Sequence, residues 1–359
     1  MRHLFRRWLH RFIPSHFHDP VGLARRLLRT GDPAAAFAMQ EALLGLMAAP
    51  LDLLLYIAER QRYRKAKPPR LPILFICGAP RTGTTLVEQV LIDQLPVSYL
   101  NNLSAVFPRA PLTANRIFRP APPVRGLAYH SYYGKTLGFS GPNDGLQLWD
   151  RWLGKDRTKV RSALTASEQE EMRRFFGAME ELFAKPILVK NNNLNACAEL
   201  IAEVFDNAFF ICMVRDPLFL AQSQLRARLD IHGREDVPYG LAATADCRAN
   251  PDDVIEDVCR QILYHEQLAR DQQKRIGPER FWIIPYEDFC HNPSELVEAV
   301  AVRLLGQPHR PSIPLPPFTP SNAVRVASER FHQIAITLAR LGYRGPGTDV
   351  RHTTLGSAS

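Results

Sequence analysis

The sequence predicts an α/β fold: a P-loop-containing parallel sheet with helices on both faces, preceded by a helical N-terminal extension. Three observations carry this. Short continuous apolar runs recur at "PILFIC" (72–77), "PILVKN" (186–191), "AFFICMVR" (208–215) and "RFWIIPY" (280–286), and such runs suit strands buried on both faces. Helix-patterned segments separate them, the connection that parallel neighbours need. Finally, "FICGAPRTGTTLVEQV" (75–90) reads as strand, glycine turn and helix, an arrangement in which backbone N–H groups and a helix N-terminus form an anion site.

In chain order, "MRHLFRRWLHRF" (1–12) is basic and amphipathic but lacks the apolar core and cleavage site of a secretory signal. "ALLGLMAAPLDLLLYIA" (42–58) is more apolar, yet short for a membrane span and interrupted by Pro50 and Asp52. The expectation is a helical pair packing on the main domain; a basic peripheral membrane anchor is the sharper alternative. "ERQRYRKAKPPR" (59–70) reads as a basic linker. This places the extension at 1–70, the α/β domain at 71–345 and a tail at 346–359.

After the loop helix, residues 97–157 are rich in Gly, Tyr and Pro with poor periodicity, a pattern common in functional segments. Thr165 and Glu168 form a capping-box pattern that opens a helix to about Ala184. "LNACAELIAEVF" (194–205) reads as a crossover helix, 230–250 as an insertion, 251–275 as a long amphipathic helix and 328–341 as the last helix.

The glycine turn nearly matches a nucleotide-triphosphatase P-loop. Gly78 and Gly83 have the spacing and Thr85 fills the Ser/Thr place, but Thr84 stands where the lysine belongs. That lysine reaches the terminal phosphates, with Mg²⁺ on the Ser/Thr, and Thr84 cannot do its work. Arg81 supplies a charge from inside the loop, and Thr82, Thr84 and Thr85 add hydroxyls. Asp216, at the end of the third apolar run, is flanked by Arg215 and Pro217. A cation there reads as a second anion site rather than a metal-holding acid.

At this point the chain resembles a known family. "PRTGTT" (80–85) is similar to the 5′-phosphosulfate loop of sulfotransferases, in the Arg form seen in tyrosylprotein and in bacterial and carbohydrate enzymes. "FFICMVRDPLFLAQSQ" (209–224) resembles the family's 3′-phosphate motif, with Arg215 and Ser223 at its spacing. "IIPYEDFCHNPSELVEAVAVRLLG" (283–306) resembles its strand, Tyr-Glu-Asp turn and helix, which adds Tyr286; "TPSNAVRVAS" (319–328) adds Ser321 and Arg325 as late cofactor contacts. The resemblance covers roughly 71–345. It implies transfer of a sulfuryl group from 3′-phosphoadenosine-5′-phosphosulfate (PAPS) to a hydroxyl on a glycan, lipid, peptide or small molecule. The implied cofactor contacts are Arg81, Thr82, Gly83, Thr84, Thr85, Arg215, Ser223, Tyr286, Ser321 and Arg325, with no metal. PAPS carries two separate anionic groups, which a lysine-free loop plus a distant Arg/Ser pair can match. A P-loop nucleotide kinase and a non-catalytic, nucleotide-binding relative are the alternatives.

The catalytic expectations are Arg81 for charge on the leaving group and Lys190, at the end of the second apolar run, as the family lysine facing the sulfate. Relatives of the Arg type carry a glutamate base shortly after the loop helix; here Asn101 and Asn102 stand there, and an amide cannot take a proton. By residue type His130 is the first replacement and Asp144 the second. Tyr129, Tyr132, Tyr133, Trp149 and Trp152 offer an aromatic acceptor wall, or packing under a long loop.

Composition bounds the rest. A chain of 359 residues with 46% hydrophobic residues supports one large or two modest domains, and its net charge of +9 suits anionic ligands. The basic residues are spread and no nucleic-acid module appears. Six scattered cysteines without CxxC or zinc spacing read as a reducing compartment. The expected location is cytoplasmic, with peripheral membrane contact through the basic N-terminal helix as the variant.

Overall fold

The computed structural model describes residues 19–121, 129–154, 160–241, 253–308 and 315–345. Residues 1–18, which hold the basic N-terminal segment, lie outside them, as do Cys247 and the 242–250 part of the expected 230–250 insertion.

Five strands form one parallel sheet in the order β2-β3-β1-β4-β5. They are β1 (Ile73–Gly78), β2 (Ser98–Tyr99), β3 (Ile187–Lys190), β4 (Ala208–Val214) and β5 (Phe281–Pro285). Four are the apolar runs of the sequence. β2 is a two-residue edge strand, too short for any periodicity to reveal. β1 lies in the middle with all six residues buried. Its side chains alternate between two cores, as strand geometry requires. Ile73, Phe75 and Cys77 join Trp149, Trp152, Phe175 and Phe176 on one face. Leu74 and Ile76 meet Val87, Val90, Leu91 and Phe289 on the other.

The helices follow from local rules. α1 (Pro20–Arg29) and α2 (Pro33–Lys65) each begin at a proline behind an aspartate N-cap. α3 (Thr84–Gln94) leaves the glycine turn; α4 (Asn102–Val106), α5 (Pro111–Phe118) and α6 (Leu146–Leu153) are short. In α7 (Ala166–Phe183), Thr165 and Glu168 make the reciprocal capping box the sequence announces. The expected 194–205 helix is split into a 3₁₀ stretch, Asn192–Ala196, and α8 (Ala198–Val204). α9 (Pro217–Ala227), α10 (Val254–Ile276), α11 (Tyr286–His291), α12 (Pro293–Leu305) and α13 (Ser328–Arg340) complete the chain.

α2 departs from the sequence reading. It runs through Pro50 and continues to Lys65, so residues 59–65 are helix rather than linker. Buried acids hold it. Asp52 accepts hydrogen bonds from the backbone N–H groups of Arg109 and Ala110 at 3.2 and 3.1 Å. Glu59 accepts from the Leu112 and Thr113 amides at 3.1 and 2.7 Å, capping α5 from outside it. Carboxylates there satisfy donors that the first turn of a helix leaves unpaired and complement its dipole.

Candidate active site

The cleft opens at the C-terminal ends of β1, β3 and β4, where an open parallel sheet places its ligands. Its volume is about 330 Å³. The turn after β1 forms the floor. Gly78 and Gly83 have φ of 139° and 90°, and Arg81 between them is held at 78°. A Cβ on Gly83 would stand 2.4 Å from the Tyr286 ring, and one on Gly78 the same distance from the Met213 carbonyl oxygen. Glycine at these two positions lets the turn sit against β4 and α11. Arg81, Gly83, Thr84 and Thr85 all line it.

Thr82 does not. It is buried, and its hydroxyl donates to the Ala79 carbonyl at 2.7 Å, so its side chain braces the turn. Arg81 extends across the cleft. Its Nε donates to Ser223 Oγ at 3.3 Å, and its guanidinium lies 4.6 Å from the centre of the Tyr133 ring.

The second cationic group stands at the end of β4. Arg215 is buried and donates to the carbonyls of Arg81 at 3.0 Å and Ser321 at 2.6 Å, and to Asn322 Oδ1. Its guanidinium packs 4.9 Å from the centre of the Tyr286 ring. Burial lowers its pKa from the ordinary arginine value, against the opposing influence of Tyr286 and Glu287. Tyr286 in turn accepts from the Ser321 amide at 3.2 Å. Gln222 accepts from the Arg325 amide at 2.9 Å. Thus Arg215, Ser223, Tyr286, Ser321 and Arg325, far apart in sequence, share the cleft wall with Arg81. Asp216 caps α9 by accepting from the Leu218 amide at 2.9 Å.

At the other end, Lys190 is buried with Nζ 3.0 Å from Thr85 Oγ1. It forms ion pairs with Asp144 and, at 3.6 Å, with Glu88. Burial alone would lower the Lys190 pKa; the charges of Asp144 and Glu88 override it and the net shift is upward. Burial also pushes Glu88 up to about 8, against the pull of Lys190.

Asp144 lines the cleft and His130 does not. His130 is exposed, its Nε2 is 2.9 Å from Asp32 Oδ2, and its carbonyl accepts from Gln89. The residue type fitted the chemistry, but the chain turns its ring toward the cap of α2. The two asparagines have structural duties. Asn101 caps α4 through the Ser104 amide. Asn102 donates to the carbonyls of Thr136 and Gly138 at 3.1 and 2.7 Å and accepts from Asn143 at 2.9 Å.

The aromatic residues divide. Tyr132 and Tyr133 line the cleft, with Tyr239 beside them. Trp149 and Trp152 are core residues, and Tyr129 packs against Phe318. Sequence reasoning missed Asn192, Gln222, Tyr239 and Arg226 in the lining and Glu88 behind it. Asn192, whose Oδ1 accepts from Thr84 Oγ1 at 3.2 Å, was findable because it follows a strand end. Glu88 was signalled by an acid set among the apolar positions of α3.

The fold is thus a parallel α/β sheet whose cleft is lined by a lysine-free glycine turn and a second, buried arginine. The sequence model of the sulfotransferase family matches residues 72–309, and the chain belongs to that family. A protein-tyrosine sulfotransferase from Drosophila melanogaster is 24% identical over 237 residues, covering 64% of this chain and 37% of that protein. The match thus spans little more than a third of that relative's length. Among solved structures, a sulfotransferase from Mycobacterium avium shares 18% identity with a TM-score of 0.48, covering 92% of this chain and 83% of its own. One from Mycobacterium tuberculosis H37Rv shares 13% with a TM-score of 0.46, covering 91% and 88%.

Proposed function

We propose that this protein transfers the sulfuryl group of PAPS to a hydroxyl acceptor. One observation carries the reading: a single cleft joins the Arg81 turn, the Arg215/Ser223 wall and the Lys190–Asp144 pair. A ligand with two separated anionic groups and a transferable centre fits that arrangement, whereas a γ-phosphate without a loop lysine does not. Family membership implies a sulfonate donor, and the second arginine site is what favours PAPS.

The residues have separable tasks. Arg215, Ser223 and Arg325 hold the 3′-phosphate end. The turn amides, Arg81 and Thr84 hold the 5′ end. Lys190, fixed by Thr85 Oγ1, neutralises charge on the transferring group. The acceptor oxygen forms the new bond to sulfur while the bond from sulfur to the 5′-phosphate oxygen breaks. The electron pair leaves with that phosphate, where the Arg81 turn stabilises it. The acceptor proton passes to an Asp144 carboxylate oxygen, and Asp144 replaces His130 as the general base in this account. The hydroxyl becomes more acidic as its bond to sulfur forms, so a carboxylate suffices.

Incubation of the full chain with sulfur-labelled PAPS and a panel of glycan, lipid, tyrosyl-peptide and phenol acceptors tests the proposal. Label transfer to any of them supports it. PAP binding without transfer to any acceptor would favour the non-catalytic reading, and ATP-dependent phosphorylation would favour a kinase.

A further inference from the structure

α2 is turned inside out. Between Glu41 and Glu59 its three acids, Glu41, Asp52 and Glu59, are all buried. Over the same stretch every exposed residue is apolar: Ala42, Leu43, Met47, Pro50, Leu51, Leu53, Leu54, Ile57 and Ala58. The six large ones among these are 41–66% exposed. A helix on a soluble domain shows the opposite pattern, with its polar residues outward. The apolar face is about 25 Å long, at 1.5 Å per residue. Exposed apolar surface on this scale marks a place where something binds.

Charge identifies the occupant. In chain order the face is bracketed by exposed basic residues: Arg25 and Arg29 on α1 precede it, and Arg60, Arg64 and Lys65 at the end of α2 follow it. A second copy laid along α2 would set these basic ends against each other in either orientation. An anionic lipid surface complements both ends and accepts the leucines between them. We infer that α2 lies on an anionic bilayer with its Leu43–Ile57 face in the headgroup and acyl boundary. By length and composition the helix could cross a membrane, since an 18-residue stretch of it has a mean hydropathy of 1.7. Its buried Asp52 and Glu59 instead fasten it along α5, so it lies flat while they hold.

The inference does not depend on the transfer reaction. It is tested by flotation of the purified full chain with vesicles of phosphatidylcholine alone or mixed with phosphatidylglycerol. The wild type is expected to float with the mixed vesicles, and less so in high salt. Met47→Gln with Leu54→Gln, both exposed positions, should cut the bound fraction at least about tenfold while leaving the melting temperature unchanged. Arg60→Gln with Arg64→Gln should cut it less and flatten the salt dependence. Several results would overturn the inference: no flotation with either vesicle, equal flotation with both, resistance to carbonate extraction, or a dimer that Met47→Gln and Leu54→Gln convert to monomer without any vesicle binding.

Discussion

Asn102 accepts a hydrogen bond from Asn143 at 2.9 Å, and the next residue, Asp144, is the carboxylate paired with Lys190. The Asn102 amide thus helps fix the loop that brings Asp144 to Lys190. Asp144→Asn is expected to lower turnover about 10²–10⁴-fold with PAP affinity nearly unchanged. His130→Ala should leave turnover near wild type, since it removes only an exposed pair with Asp32. Steady-state rates with any working acceptor check both, and the reverse outcome would return the base to His130.

Arg215 braces the turn through the Arg81 carbonyl besides facing the cleft. Arg215→Ala should therefore weaken PAP binding by roughly 1.5–3 kcal/mol. It should weaken adenosine 5′-phosphosulfate, which lacks the 3′-phosphate, by a smaller amount. Competition binding with the two nucleotides separates the effects, and equal losses would mean that Arg215 acts only on the turn.

Gly83 faces the Tyr286 ring at a φ of 90°. Gly83→Ala should displace the turn or the ring and weaken PAP binding, since Cβ would enter ring density at 2.4 Å. Gly138, also at positive φ but with open space around it, is the control. Gly138→Ala should leave PAP affinity alone, and similar losses in both variants would show that general strain is responsible.

Burial lowers the His265 pKa from 6.5 to about 4. Its Nε2 hydrogen-bonds the Leu241 carbonyl at 3.0 Å, and its Nδ1 lies 3.0 Å from Asn195 Nδ2. Between these two pKa values the unfolded chain binds more protons than the folded one. The stabilisation is complete above pH 6.5 and disappears as pH falls through 4, about 3 kcal/mol in all. His265→Gln should flatten the fall of melting temperature with acid relative to wild type. Parallel curves would remove His265 from the acid response.

The sheet was legible because its strands are continuous apolar runs, and much of the cleft lining because glycine, arginine and serine spacings survive in one dimension. The base was not. Asp144 and His130 are both polar residues in a segment without periodicity, and tertiary partners, Lys190 for one and Asp32 for the other, separate them. α2 was legible as a helix, but its extent over 59–65 and its buried acids were not. Its apolar run carried no sign that Asp52 and Glu59 find amide partners more than fifty residues away. A residue-type pattern shows that a helix is apolar, but the partners of its few polar residues determine which side faces water.

The central claim is that the cleft takes a nucleotide with separate 5′ and 3′ anionic groups and needs no loop lysine to do so. Titration calorimetry of the wild-type protein with PAP in EDTA tests it most directly. The expected result is saturable PAP binding that exceeds ATP binding and is unchanged when Mg²⁺ replaces the chelator. Tight, Mg²⁺-dependent ATP binding with no heat from PAP would contradict the account.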